Sequence, residues 1–214
     1  MIPRTLKLVG LAIGGLGVLA AARGVALASK CNAGEAKAAG LKAACKLGVL
    51  ASAARTAATP DPGRLALCDS KFFATFTKAQ GAGDCYSRVD AATMENVVDH
   101  FVDGVNTSVA VSPPSRCQSM KLKAAGKKAK CRLGVQASGY ANGTPDPVKH
   151  AACGEKMRAT FSRADRGTDC GTTVGDYGAI EQGVDDFEND VVGWIEALPP
   201  PSTTTTVTTT SSTT

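Results

Sequence analysis

The sequence predicts an all-α protein built from two tandem, disulfide-stapled three-helix repeats, each a helical hairpin followed by an amphipathic third helix. Three observations lead there. The eight cysteines form two sets of four: Cys31, Cys45, Cys68 and Cys85 return as Cys117, Cys131, Cys153 and Cys170, offset by 86, 86, 85 and 85 residues. Other residues keep the same offset, among them Thr59-Pro60-Asp61-Pro62 with Thr144-Pro145-Asp146-Pro147, and Ala74-Thr75-Phe76 with Ala159-Thr160-Phe161. Apolar residues recur at helical spacing, and no segment alternates convincingly as a strand would.

Residues 1–28 read as a secretory signal peptide. Arg4 and Lys7 make a basic start, Leu8–Ala22 is an uncharged run of 15 residues, and Ala26-Leu27-Ala28 is a small-residue cleavage site. Spanning a bilayer takes about 20 apolar residues, and Arg23 interrupts the run before that. Lys30 before Cys31 does not suit a lipoprotein cleavage box. Repeat one is expected over 29–106, a linker over 107–116, repeat two over 117–198, and a disordered Thr/Ser-rich tail over 199–214. That tail holds three Pro, nine Thr, three Ser and one Val, too little apolar surface for a core.

Within each repeat the first helix is rich in Ala, Lys and Leu, over about 31–53 and 117–138. Gly139 and Asn142-Gly143 mark the end of the second copy. The Thr-Pro-Asp-Pro turn then starts the second helix, with Asp61 or Asp146 as N-cap and Pro62 or Pro147 in the first turn, where a missing N–H costs nothing. The third helix is expected to open on Ser87-x-x-Asp90 or Thr173-x-x-Asp176, a carboxylate form of the capping box. It carries the clearest apolar stripes: Met94, Val97, Val98, Phe101, Val102 and Val105, then Ile180, Val184, Phe187, Val191, Trp194, Ile195 and Leu198.

Helix geometry discriminates among the three ways to pair four cysteines. Cys31 and Cys45 stand 14 residues apart on one helix, about 21 Å at 1.5 Å per residue, whereas a disulfide needs Cα atoms within about 7 Å. In an antiparallel hairpin, partners lie equally far from the turn. Nested pairing satisfies this in both copies: Cys45–Cys68 inside Cys31–Cys85, and Cys131–Cys153 inside Cys117–Cys170. The crossed alternative, Cys31–Cys68 with Cys45–Cys85, mismatches these distances badly. The bridges offset a weak core, since the chain is only 5% aromatic and its first helices are largely alanine.

An even cysteine count behind a signal peptide places the chain in an oxidising compartment: secreted, periplasmic or at the cell surface. No Cys-x-x-Cys pair, haem attachment motif or phosphate-binding glycine loop is present, so no cofactor or metal is expected. There is no Gly-x-Ser-x-Gly elbow. The two histidines, His100 and His150, read as solvated helix residues. Asn106-Thr107-Ser108 and Asn142-Gly143-Thr144 match the N-glycosylation pattern, the second disfavoured by Pro145.

Charge is segregated. Arg4, Lys7 and Arg23 fall in 1–28 with no acid, so 21 of 24 basic residues and all 19 acidic ones remain, a net of +2. That balance is weak evidence for a nucleic-acid partner, and none is expected. In repeat two the first helix holds Arg116, Lys121, Lys123, Lys127, Lys128, Lys130 and Arg132 with no acid. The third holds Asp176, Glu181, Asp185, Asp186, Glu188, Asp190 and Glu196 with no base. Repeat one shows a weaker version. One reading makes these complementary faces within a bundle, each exposed pair worth about 1 kcal/mol or less. The other makes Lys121, Lys123, Lys127, Lys128, Lys130 and Arg132 an anion-binding face.

The repeats, with Cys-x13-Cys, a Lys/Ala-rich helix, Pro-Asp-Pro, Lys-x-x-Ala-Thr-Phe, Asp-Cys and an acidic Val/Phe helix, resemble secreted Ala/Lys/Cys-rich repeat proteins predicted from environmental bacterial genomes. Lys121–Lys130 is the most specific stretch, and the resemblance covers about 31–198. It implies no activity. A looser likeness to disulfide-stapled helical hairpins with twin Cys-x-n-Cys motifs supports only the hairpin geometry. The sequence thus predicts an exported, non-enzymatic structural or interaction module of the cell envelope or extracellular space, with the tail as stalk or linker. The alternative is a module whose basic first helices bind anionic glycan or lipid headgroups. It names no partner; a cell-envelope protein and an anionic glycan are the candidates, with membrane contact only through 1–28.

Overall fold

In a computed structural model the described residues, 29–85 and 89–197, form six α-helices and one short 3-10 turn, with no strand among them. The helices are α1 (Lys30–Thr56), α2 (Pro62–Gln80), α3 (Ala91–Ser108), α4 (Arg116–Asn142), α5 (Pro147–Ala164) and α6 (Tyr177–Glu196). The expected signal peptide, Ser87, Leu198 and the tail lie outside the described residues. Helices α3 and α4 take up both ends of the expected linker and leave 109–115 between them.

The local signals act as their chemistry requires. Asp61 caps α2, accepting from the N–H groups of Gly63 and Arg64, and Asp146 caps α5 in the same way. Helices α1 and α4 extend three and four residues further at their C-terminal ends than the sequence suggested. They end at Ala57, and at Gly143 with φ 110°, a conformation that favours glycine. They start at Ser29 and Ser115, whose Oγ atoms accept from Asn32 N and Gln118 N. The repeated Asp-Cys pair completes both starts. The Asp84 carboxylate accepts from Lys30 N at 2.7 Å and Cys31 N at 2.9 Å, and Asp169 accepts from Cys117 N at 3.1 Å.

The disulfides are nested as expected: Cys45–Cys68 within Cys31–Cys85, and Cys131–Cys153 within Cys117–Cys170. Each hairpin is therefore fixed near its turn and at its open end.

The two repeats share one core. Gly40 on α1 packs against α4, where an added Cβ would lie 3.2 Å from Lys130 Cα and 3.1 Å from Leu133 Cβ. Gly126 on α4 packs against α1, at 3.1 Å from Ala44 Cα and 3.2 Å from Leu47 Cβ. These four contacts are equivalent under the 86-residue offset, so α1 and α4 cross antiparallel about a pseudo-two-fold axis. The rings of Phe101 and Phe187, also equivalent, stack at 4.2 Å and 8° between α3 and α6. Helices α1, α3, α4 and α6 thus enclose a continuous apolar core that includes Leu47, Leu133, Met94, Val98, Val184 and Ile195. Helices α2 and α5 flank it.

Two expectations need correction. Trp194 is 47% exposed, because Ile195 takes the inward seat at the end of the α6 stripe. The capping box does not form as expected in either copy. Asp90 is itself the N-cap of α3, accepting from Thr93 N, and Asp176 precedes α6 without capping it.

Candidate functional site

A layer of paired charge lies between the helices. In repeat one the Lys42 ammonium, with no exposed side-chain surface, reaches Glu95 at 2.6 Å, Asp99 at 3.0 Å and Asp69 at 3.1 Å. Lys46, one turn on, also reaches Asp69 and Asp99. In repeat two the equivalent Lys128 is held by Asp185 at 2.7 Å and Glu181 at 3.2 Å, and Arg132 joins Asp185 to Glu188. Gln136 and His150 complete that cluster, each hydrogen-bonded to Glu188. The place of Asp69 is taken by Gly154, against which Glu181 Oε1 and Arg132 Nη2 close.

Burial opposes the ionisation of Asp69 and Glu181. Hydrogen bonds and attraction outweigh it, from Lys46 and Lys42 in the first case and from Tyr177 and Lys128 in the second, and both carboxyls sit below the ordinary range. Lys46 is raised: desolvation lowers it, but Asp99 and Asp69 more than compensate.

Lys121 is the asymmetric member, standing where repeat one has Glu35. It is fully buried and donates to the Thr173 carbonyl, with Asp176 at 2.6 Å and Asp165 at 2.7 Å. This draws Asp176 away from the end of α6, which explains why only Asp90 caps. Burial dominates at Asp176 and raises its carboxyl despite Lys121.

The six candidate anion-binding residues therefore do not form one face. Lys121, Lys128 and Arg132 turn inward and are consumed in this charge layer, so the complementary faces meet in the interior and are not the exposed pairs expected. Lys123, Lys127 and Lys130 are exposed and make no salt bridge among the described residues. Heptad spacing separates the two sets, 121 and 128 on one stripe, 123 and 130 on another. Only the acidic third helix decides which stripe is inner.

Beside the exposed lysines lie two equivalent grooves. The first, about 580 Å³ between α1 and α2, includes Ala38, the Cys45–Cys68 bridge, Phe72, Lys71 and Lys130. The second, about 380 Å³ between α4 and α5, includes Ala124, the Cys131–Cys153 bridge, Met157, Lys156 and Lys127. Sequence reasoning passed over Lys71, Lys156 and Arg163. The signal was the repeated Lys-x-x-Ala-Thr-Phe: its Lys, Ala and Thr line the grooves, while its second residue, Phe72 or Met157, and its last, Phe76 or Phe161, are buried.

Among the described residues three sets are close enough to hold a metal, but each has another role. Cys31 with Cys85, and Cys117 with Cys170, are oxidised bridges, and Asp69, Glu95 and Asp99 surround the Lys42 ammonium. His100 is exposed on α3, and His150 is tied to Glu188 at 2.7 Å. Four disulfides point to an oxidising compartment. No helix among the described residues is long and apolar enough to cross a membrane. Compared with family models, curated proteins and solved structures, the chain finds no match.

Proposed function

We propose that the chain is an exported, non-enzymatic interaction module, a rigid scaffold of the cell envelope or extracellular space. The observation that carries this reading is where the reactive side chains go. The buried ammonium groups of Lys42, Lys121 and Lys128 are each held by two or more carboxylates, and His150 is bound by Glu188. Groups used in this way brace helices and are not poised for proton transfer or attack. Disulfides at both ends of each hairpin suit a part that keeps its shape outside the cell.

The test is fractionation of a host expressing the whole chain, with alkylation of the recovered protein before and after reduction. The reading expects exported protein with no free thiol until reduction. Folded protein retained in the cytoplasm with all eight thiols free would overturn it.

A further inference from the structure

Six exposed basic residues, Lys37, Lys71, Lys127, Lys130, Lys156 and Arg163, line the two grooves and the surface between them. Between the grooves runs the outer surface of α1 and α4, with a shallow depression of about 380 Å³ that includes Lys37, Leu41, Lys130 and Gly134. Leu41 and Lys130 also line the first groove, so depression and groove are continuous. Lys127, one turn from Lys130 on α4, lines the second groove with Lys156 and Arg163. No carboxylate lines any of the three hollows. By contrast, the hollow between α3 and α6 is lined by Asp186 and Asp190. A mature chain with almost balanced charge thus presents a strongly cationic side.

Part of each groove lining is alike in the two repeats. Lys71, Ala74 and Thr75 match Lys156, Ala159 and Thr160, and both threonine hydroxyls donate back to the lysine carbonyl one turn before. Other lining positions differ, Leu41 standing where repeat two has Lys127, and Phe72 where it has Met157.

We propose that the two grooves and the lysine-bearing surface of α1 and α4 between them form one binding track for a linear acidic polysaccharide. The cations supply charge complementarity to carboxylate or sulfate groups. Leu41, Ala74, Ala159 and the aliphatic lysine stems offer apolar floor to the C–H faces of sugar rings. A chain enters concave hollows set side by side across α1 and α4, whereas a bilayer plane meets only their rims. The proposal takes its compartment from the exported module. If polysaccharide binding fails, the disulfide scaffold still stands or falls on its own thiol test.

The experiment is titration of the full oxidised chain with polygalacturonate and with heparin at 20 mM and 500 mM salt, with anionic phospholipid vesicles and duplex DNA as comparisons. Saturable binding to at least one polysaccharide is expected at low salt, about ten-fold or more weaker at high salt. Lys127→Glu with Lys130→Glu should weaken it at least ten-fold, and Lys71→Ala with Lys156→Ala should also weaken it. Asp186→Asn with Asp190→Asn, in the hollow between α3 and α6, should not. All these residues are exposed, and unchanged circular dichroism verifies the fold. No binding to either polysaccharide at low salt would overturn the proposal, as would binding indifferent to both lysine pairs or stronger binding to vesicles or DNA.

Discussion

At the residue scale the buried lysines set the electrostatic behaviour. Lys42 lies under the rim of three carboxylates that are themselves partly open to water. Removing the ammonium leaves those acids repelling one another at short range. Lys42→Met is therefore expected to cost about 2–3 kcal/mol at neutral pH, less than a wholly buried pair because water reaches the acids. The cost should shrink near pH 4, where Asp69 without Lys42 beside it is less firmly held ionised. Urea midpoints of both proteins at the two pH values check this; a loss independent of pH would make it one of packing alone. The unmutated protein has its own profile. Asp69, Glu181 and Asp84 are depressed, Asp84 by hydrogen bonds from Lys30 N and Cys31 N. A depressed carboxyl stabilises above its unfolded value and loses that contribution as pH falls through the folded one. Lys46 is raised, so its contribution is complete below its unfolded value and disappears as pH rises beyond it. Asp176 has the opposite sign to the other acids, since its raised carboxyl favours the fold on protonation. Chemical denaturation across pH should show a plateau from about 5 to 10, with stability falling on both sides.

At the element scale the hairpins depend on their bridges and the crossing of α1 with α4 depends on two glycines. Closing loops of 23 and 54 residues is worth about 3.5 and 4 kcal/mol separately by chain entropy. The outer bridge adds less once the inner has shortened its loop. Cys45→Ser with Cys68→Ser should cost about 3 kcal/mol, read from thermal or urea unfolding, and full reduction should unfold the bundle near room temperature. At the crossing, α1 backbone and Leu47 Cβ lie just over 3 Å from where a Gly126 side chain would begin. Gly126→Val should force the helices apart and cost about 2–3 kcal/mol. The same change at Gly134, which has open space around it, should cost far less. Equal losses at the two positions would show that helix propensity, not close approach, is at stake.

At the scale of the whole molecule the repeats behave as an internal dimer. Gly40 meets Lys130 and Leu133 as Gly126 meets Ala44 and Leu47, and Phe101 stacks on its own equivalent, Phe187. A face that packs on its symmetry mate is self-complementary. Residues 115–198 produced alone and oxidised should form a dimer by sedimentation equilibrium, with Phe187 stacked on a second Phe187. A folded monomer would show that each repeat closes its own core. In the whole chain, Phe101→Ala should cost about 3–4 kcal/mol and destabilise both repeats in one transition, because the cavity opens on the shared axis.

Much of this was legible in one dimension because it depends on local chemistry or on counting. Asp-Pro turns, glycine at the end of α4 and the apolar stripes of α3 and α6 act over a few residues, and equal distances from a turn select the nested cysteine pairing. What required three dimensions was the identity of neighbours. Lys121 and Lys123 are alike in the sequence; one is buried and the other exposed because the connection from α5 to α6 brings Asp165, Asp176 and the Thr173 carbonyl to a single side of α4. Trp194 and Ile195 compete for one inward seat, and helix rotation chooses the isoleucine. The shared core was unreadable for the same reason: that Gly40 meets Lys130 and Leu133, and Gly126 meets Ala44 and Leu47, is a property of how two helices cross, and no periodicity along either one records it.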